Sequence, residues 1–191
     1  MSQPPGNQMN PPQRDIDLAA APAGSPSPVA VALTRAEFRD AMARLAAAVH
    51  IVTSDGAAGR VGFTATAVCS VTDDPPSLLV CLNRGSSAYA ATVANGVLCV
   101  NTLSADHREL SGVFASKLPM AERFASGDWS AMDSGSPALR SALLSMDCEI
   151  MASTAVGTHD ILICRVRSIR NEVADAGLVY FNWEYHGLGA G

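Results

Sequence analysis

Apolar residues recur at two different spacings along the chain, and the change of spacing separates its elements. Thr34-Arg35-Ala36-Glu37 has the pattern of a capping box. Phe38, Met42, Leu45 and Val49 follow at helical spacing. Together these signals predict an amphipathic helix at the start of the folded part of the chain.

After this helix the apolar residues come in short runs rich in Val, Ile and Thr, which is typical of strands. The runs predict strands at Val49–Thr53, Val61–Val71, Leu78–Leu82, Val97–Asn101, Ser145–Ala152, Ile161–Ile169 and Leu178–Phe181. The turn Ser54–Gly59 makes a hairpin of the first two strands. Asp73–Pro76 must interrupt the next ladder, because proline lacks an N–H and restricts the residue before it. Short helices are predicted at Ser87–Ala94, capped by Asn95-Gly96, and at Ala105–Phe114.

The remaining segments show no regular period. Residues 115–137 are polar and contain glycine, so we expect a long irregular excursion over the surface, and such loops are often functional. Residues 187–191 are interpreted as a tail. Several short strands with scattered helices, and no strand-helix-strand rhythm, favour a mainly β protein that closes into an antiparallel barrel.

The N-terminal segment has a different composition from the rest. Residues 1–30 hold seven of the eleven prolines and few large apolar side chains. Such a segment cannot offset the entropy lost on ordering. The sequence therefore predicts a flexible proline-rich tail over residues 1–33 and a folded domain over residues 34–188.

Charge narrows the classes of partner. The chain has 191 residues, a net charge of -5 and a sequence pI near 5.2. This balance gives no basic footprint for nucleic acid. No apolar stretch reaches the roughly 18 residues of a membrane span, and the N-terminus lacks the layout of a secretory signal. We therefore expect a cytosolic protein that binds neither nucleic acid nor membrane.

Cysteine and histidine give no metal signal. The five cysteines form no CxxC pair and have no zinc spacing with the four histidines, so no metal is expected. The cysteines, Cys69 included, are interpreted as small packing residues. His50 and His107 are expected at the surface, on a strand and a helix.

One region could make an anion site. The hydroxyl-rich segment Gly62–Ser70 precedes Asn83-Arg84-Gly85-Ser86. Small side chains such as Ala65 and Ala67 would let a flat ring lie against the backbone, while hydroxyls and Arg84 hold a phosphate. Thr-rich strands are common, however, and Asn-Arg-Gly-Ser is also an ordinary turn. The residues alone therefore favour an ordinary strand and turn over an anion site.

Several stretches taken together resemble a known family, the flavin reductase components of two-component monooxygenases. The matching stretches are Phe38–Ala43 with Leu45, Gly62–Pro76, Leu79–Asn83, Leu98–Leu103, Glu122-Arg123-Phe124, Gly157–Asp160, Leu178–Phe181 and Tyr185-His186. They follow the family's order over about residues 34–188. The resemblance implies the split β-barrel of that family, an FMN-binding Greek-key antiparallel barrel with short flanking helices.

The resemblance also implies an activity and partners. A homodimer would pass hydride from NADH to FMN, with FAD as the alternative flavin, and reduced flavin would diffuse to a separate oxygenase. Within the family the chain is most similar to the reductases of pyrimidine utilisation. A reductase for an aromatic hydroxylase, such as 4-hydroxyphenylacetate 3-monooxygenase, is the next reading.

Site residues are carried over from the family's motifs. The resemblance places Thr64, Ala65, Thr66 and Ala67 along the isoalloxazine, with Cys69 and Ser70 nearby. It places Asn83, Arg84, Gly85 and Ser86 at the ribityl-phosphate end, and Phe124 beside the ring. His159, in the Gly-Thr-His motif, is the candidate catalytic residue that contacts nicotinamide or flavin. Tyr185 and His186 would approach the site from the last strand.

Two further readings stay open. A barrel of this kind could hold flavin tightly as an electron carrier and oxidise little NADH, or it could be a structural barrel without flavin. Flavin retention separates the first from a reductase, because a reductase with a diffusible product must release it.

Overall fold

A computed structural model describes residues 33–172 and 176–189. The predicted tail, apart from Leu33, lies outside these residues. The helices are α1 (Arg35–Met42), α2 (Tyr89–Asn95), α3 (Arg108–Ala115) and α4 (Met120–Ala125). The strands are β1 (Ala47–Ala48), β2 (His50–Ser54), β3 (Val61–Ala65), β4 (Val68–Asp73), β5 (Pro76–Asn83), β6 (Val97–Thr102), β7 (Trp129–Ala131), β8 (Pro137–Leu139), β9 (Leu144–Val156), β10 (His159–Asn171), β11 (Ala176–Phe181) and β12 (Glu184–Gly189). None of the helices in these ranges is long and apolar enough to cross a membrane.

Seven antiparallel strands form the main sheet, in the order β3-β2-β6-β9-β10-β5-β4. Its two edge strands, β3 and β4, are joined by only two residues, Thr66 and Ala67. So short a connection requires the sheet to curl until its edges meet, while β3 and β4 do not pair with each other. This is the split barrel that the family resemblance implies. The single strand predicted over Val61–Val71 is wrong, because the chain crosses the split at Thr66-Ala67.

Two hydrophobic cores lie on opposite faces of this sheet. The barrel interior is filled by Val52, Val61, Phe63, Leu78, Val80, Leu82, Ala88, Leu98, Val100, Cys148, Leu162 and Cys164. The outer core, under α3 and α4, contains Val49, Ile51, Leu103, Leu110, Phe114, Phe124, Leu139, Ala142 and Leu178. Every residue of β2 is buried, because this strand contributes to both cores.

Local corrections follow from this packing. Helix α1 ends at Met42, so Leu45 and Val49 are not helical; Val49 instead bonds to Leu178 and Leu103 through its backbone. Residues 115–137, predicted as irregular, contain α4, β7 and the first residue of β8. Residues 187–189, predicted as a tail, end strand β12, which pairs with β11.

The turn predictions fare better. Asp73 and Pro76 face each other across the tight turn that joins β4 to β5, so the prolines end one strand and begin the next. Gly96 follows α2 with a φ of 68° and donates its N–H to the Thr92 carbonyl, as predicted for a glycine cap.

The cysteines differ in burial. Cys99, Cys148 and Cys164 are buried, as expected for packing residues, and Cys81 is half-buried. Cys69 is exposed, which corrects its interpretation as a core residue.

Candidate functional site

A cavity of about 730 Å³, here called the site cavity, opens beside the C-terminal end of β5. Its walls come from β3, the turn after β5, the segment between α3 and α4, and the first residue of β10. The lining residues are Phe63, Thr64, Cys81, Leu82, Asn83, Gly85, Ser86, Ser87, Phe114, Ala115, Ser116, Lys117, Leu118, Pro119, Met120, Arg123 and His159. Its volume lies within the roughly 300–1,000 Å³ that is common for ligand and cofactor sites.

The turn after β5 forms one wall. The Asn83 side chain accepts a bond from the Gly85 N–H at 2.8 Å, and the Asn83 carbonyl accepts one from the Ser86 N–H at 2.9 Å. A Cβ on Gly85 would lie 3.2 Å from Asn83 Oδ1, tighter than usual contact. These bonds fix an Asx-type turn that presents hydroxyl and amide groups to the cavity.

His159 stands at the rim of the cavity, beside this turn. It begins β10 directly after the β9–β10 turn, where Gly157 has a φ of 57°, and its register partner on β5 is Asn83. The ring is exposed, and its Nδ1 lies 2.9 Å from the Thr158 hydroxyl. The barrel register therefore brings two predicted site residues, His159 and Asn83, to the same cavity.

Arg123 forms the base of the third wall. This side chain is 5% exposed, and its guanidinium donates to the carbonyls of Leu118, Gly62, Phe114 and Ser116 at 2.7–3.3 Å. These bonds attach residues 114–118 to strand β3. No carboxylate within the described residues pairs with this cation.

The cavity is positive although the chain is acidic overall. Lys117 and Arg123 line it, and none of its lining residues is Asp or Glu. A cleft lined by one sign of charge raises the local concentration of ligands of the opposite sign. The arrangement suits an anionic ligand with a flat apolar part, and it offers no carboxylate for acid–base chemistry.

Arg84 lies beside this cavity and does not line it. Its guanidinium donates to the Gly157 carbonyl, and Nη1 lies 3.7 Å from Oδ1 of Asp160. Asp160 also accepts bonds from the Tyr89 hydroxyl at 2.7 Å and the Ser153 hydroxyl at 3.0 Å. The hydrogen bond from Tyr89 is the main cause that holds the pKa of Asp160 below its usual value. Burial opposes this shift, while the bond from Ser153 and the positive charge of Arg84 support it.

The other predicted site residues are distributed over four regions, namely the barrel core, a groove beside α1, the outer core and a cavity at the other end of the barrel. Ala65 packs against the barrel core. Thr66 and Ala67 line a second cavity of about 330 Å³, here called the α1 groove. The other residues of the groove are Phe38, Arg39, Met42, Ala43, Leu45, Ala47, Tyr180 and Trp183.

The aromatic candidates lie in or near the outer core. Phe124 is buried and packs edge-to-face on Phe114, 5.2 Å between centroids. Tyr185 is half-buried and its hydroxyl is 2.8 Å from that of Ser111. The His186 ring lies 6.1 Å from that of Phe181.

Cys69 and Ser70 line a third cavity of about 370 Å³, here called the far cavity. Strands β5 and β10 run from the site cavity at Asn83 and His159 to the far cavity at Leu78 and Val166. The cavities thus lie toward opposite ends of these strands.

His50 also lines the far cavity, and this corrects its expected surface position. Its side chain is 8% exposed, and Nδ1 lies 3.1 Å from the Thr102 hydroxyl. Burial lowers the pKa of His50 from 6.5 to about 4. At neutral pH the ring is therefore uncharged.

Sequence reasoning missed several groups at the site. Lys117 and Ser116 fall in the segment predicted as irregular, and only the expectation that long loops carry function pointed to them. Tyr89 and Asp160 are distant in sequence, so no local pattern could pair them.

Comparison with known proteins agrees with this geometry. A profile described as the flavin reductase like domain matches residues 42–189. The FMN reductase (NADH) RutF of Variovorax paradoxus is 56% identical over 169 residues, covering 88% of this chain and 92% of that protein. RutF of Stutzerimonas stutzeri is 59% identical over 154 residues, covering 81% and 88%.

Solved structures share the fold. A candidate flavin reductase from Haemophilus somnus matches with a TM-score of 0.80 and 52% identity, covering 82% of this chain and 100% of that one. BorF, the flavin reductase component of a bacterial two-component tryptophan halogenase, matches with a TM-score of 0.77 and 25% identity, covering 82% and 99%.

Proposed function

The chain belongs to the flavin reductase-like domain family, and we propose that it transfers hydride from NADH to FMN and releases reduced FMN to a separate oxygenase. The observation that carries this proposal is the site cavity, whose two cations and hydroxyl-rich turn suit a phosphate-bearing ring. The relatives named FMN reductase (NADH) supply the reaction and both substrates.

Each wall of the site cavity has a role in this proposal. Ser86, Ser87 and Lys117 hold the phosphate, because hydroxyl and ammonium donors make the strong bonds that anions accept. Thr64 and the neighbouring β3 backbone lie along the flavin ring. The bond between Asn83 and Gly85 fixes the turn that presents Ser86 and Ser87 to the phosphate.

His159 is the candidate contact for nicotinamide. Flavin supplies the hydride acceptor, so the protein contributes position and not an acid or a base. Its ring is exposed and lies near the Thr158 hydroxyl, which supports a contact with the second substrate at this cavity. The lack of carboxylates among the lining residues is compatible with such a reaction.

The α1 groove supports a proposed homodimer. Phe38, Met42, Leu45 and Trp183 are 45–59% exposed on one surface. Exposed apolar patches of this kind are typical of protein contacts. The oxygenase of pyrimidine catabolism is the proposed recipient of reduced FMN, and a cytosolic location is proposed on the sequence alone.

The test is NADH oxidation by the purified protein without flavin, and then with FMN, FAD or riboflavin, alongside its absorbance spectrum as isolated. We expect a rate that saturates with added FMN and a protein that retains little flavin. A yellow protein that added flavin does not stimulate would show an electron carrier instead. A colourless, inactive protein that binds no flavin would exclude both activities.

A further inference from the structure

Asp160 is a buried carboxylate directly after His159, and its partners come from three other elements. It is 7% exposed. Oδ2 accepts the hydroxyls of Tyr89 on α2 and Ser153 on β9, and Oδ1 faces Arg84 from the turn after β5. Oδ1 itself has no hydrogen-bond partner among the described residues. Four elements that surround the β9–β10 turn thus converge on one carboxylate.

Arg84 is attached to this turn on both sides of His159. Its backbone N–H donates to the Thr158 carbonyl at 3.0 Å, and its guanidinium bonds the Gly157 carbonyl. The same guanidinium pairs with Asp160. The Arg84 guanidinium therefore binds the β9–β10 turn and Asp160, whereas its neighbours Asn83 and Gly85 line the site cavity.

Little apolar packing supports this end of the hairpin. Residues 151–159 are all exposed, and Asp160 is the first buried residue of β10. The end of a hairpin without a packed face is held only by its ladder and by polar contacts, so these contacts determine where His159 stands.

We propose that Asp160 is a positioning residue, which acts with Tyr89 and Arg84 to hold the imidazole of His159 at the rim of the site cavity for hydride transfer. The inference rests on the proposed function, since it gives His159 its part in the reaction. A displacement of about 1 Å from a productive arrangement costs up to roughly 10²-fold in rate, so modest loosening of this turn has a measurable effect.

Two conservative variants test the proposal, Asp160→Asn and Tyr89→Phe. The first keeps the shape and removes the charge that holds Arg84, whereas the second removes one hydroxyl. We expect kcat with NADH and FMN to fall about tenfold in Asp160→Asn and less in Tyr89→Phe, with the FMN dissociation constant unchanged within about twofold. Glu149→Gln is the matched control: it removes a different carboxylate that pairs with Arg167 across β9 and β10, and kcat should not change.

A double-mutant cycle with His159→Ala separates positioning from general damage. If Asp160 acts through His159, the double variant should be no slower than His159→Ala alone, because coupled residues are not additive. Independent, multiplying losses would overturn the proposal, as would an Asp160→Asn variant as fast as the wild type.

A readout that does not depend on turnover completes the test. In the flavin-free protein, Asp160→Asn should accelerate amide hydrogen exchange at residues 155–160 while leaving β2 and β6 protected. Acceleration throughout the barrel would indicate loss of stability and would contradict a positioning role. If the wild type oxidises no NADH with any flavin, the proposed function fails, whereas an active wild type with unaffected variants rejects this inference alone.

Discussion

The two cavities at opposite ends of β5 and β10 are built by the same strands and each contains a histidine, yet they differ in charge. The site cavity has Lys117, Arg123 and an exposed His159. The far cavity has no Lys, Arg, Asp or Glu among its lining residues, and its His50 is buried and neutral at pH 7. Among the described lining residues, a ligand that carries phosphate therefore finds cationic side chains in the site cavity and none in the far cavity.

This difference shows that a hydroxyl-rich segment does not by itself indicate a phosphate site. Segment 62–70 contributes to all three cavities: Thr64 to the site cavity, Thr66 and Ala67 to the α1 groove, and Cys69 and Ser70 to the far cavity. A segment that consists of two strands on either side of the barrel split, each with side chains on alternating faces, cannot present all its hydroxyls to one ligand. The position of the cations, and not the density of hydroxyls, is therefore what supports the site cavity as the proposed flavin site.

The largest expected effect comes from removing the buried cation of the site cavity. Arg123→Leu leaves four backbone carbonyls without their donors, and at roughly 1 kcal/mol each the free energy of unfolding should fall by about 4 kcal/mol. Denaturant unfolding measures this change. Arg140→Gln is the control, because Arg140 pairs with Asp128 at the surface, where such pairs contribute about 1 kcal/mol or less. Equal losses in the two variants would contradict a structural role for the buried guanidinium.

Acid should lower the stability of the protein through His50 in the far cavity. The unfolded chain protonates His50 below about pH 6.5, whereas the folded chain keeps it neutral until about pH 4. The contribution of His50 to stability is therefore complete above pH 6.5 and is lost as the pH falls, by about 3 kcal/mol at pH 4.

The matched variant for this titration is His50→Gln, which cannot titrate. Carboxylates that titrate over the same range affect both proteins, so the difference between their unfolding free energies isolates His50. Parallel pH profiles would mean that the ring is accessible to protons in the folded state.

Replacing each of the two histidines in turn and measuring both variants in the same assay tests the comparison directly. His159→Ala should lower kcat on the order of 10²-fold, because the nicotinamide loses its contact at the rim, while FMN affinity stays the same. Steady-state NADH oxidation and quenching of FMN fluorescence measure the two quantities. His50→Gln should leave kcat within about twofold at pH 7, and a large loss there would move the reaction toward the far cavity.

Much of the fold is readable from local pattern. Val97–Thr102, with Gly96 before it, combines a capped helix end with a buried apolar run, and both signals are local. The break of Val61–Val71 at Thr66-Ala67 cannot be predicted from the local sequence. It exists because the seven-stranded sheet closes and brings its two edge strands, β3 and β4, to either side of these residues. His50 was misjudged for the same reason: its ring is covered at the far cavity by residues of β4, β5, β6 and β9, which only the closed sheet brings around it.

The site was predictable in part. The pairing of His159 with Asn83 unites two motifs that the family resemblance had already marked. The roles proposed for Lys117 and Asp160 depend on where the fold brings them, next to residues that are distant in the sequence and that no periodicity connects.

The smallest expected effect concerns the phosphate itself. Lys117 is exposed on the wall of the site cavity, so the loss of its charge should weaken FMN binding about tenfold without unfolding the barrel. Riboflavin lacks the phosphate, and its affinity for Lys117→Gln should match that for the wild type. Cys69→Ser, an exposed substitution in the far cavity, should change neither affinity. Effects on the flavin ring cancel in the ratio of the FMN and riboflavin dissociation constants. A Lys117→Gln variant that binds both flavins equally more weakly would therefore place the phosphate away from Lys117. A change of this ratio in Cys69→Ser would place the phosphate in the far cavity.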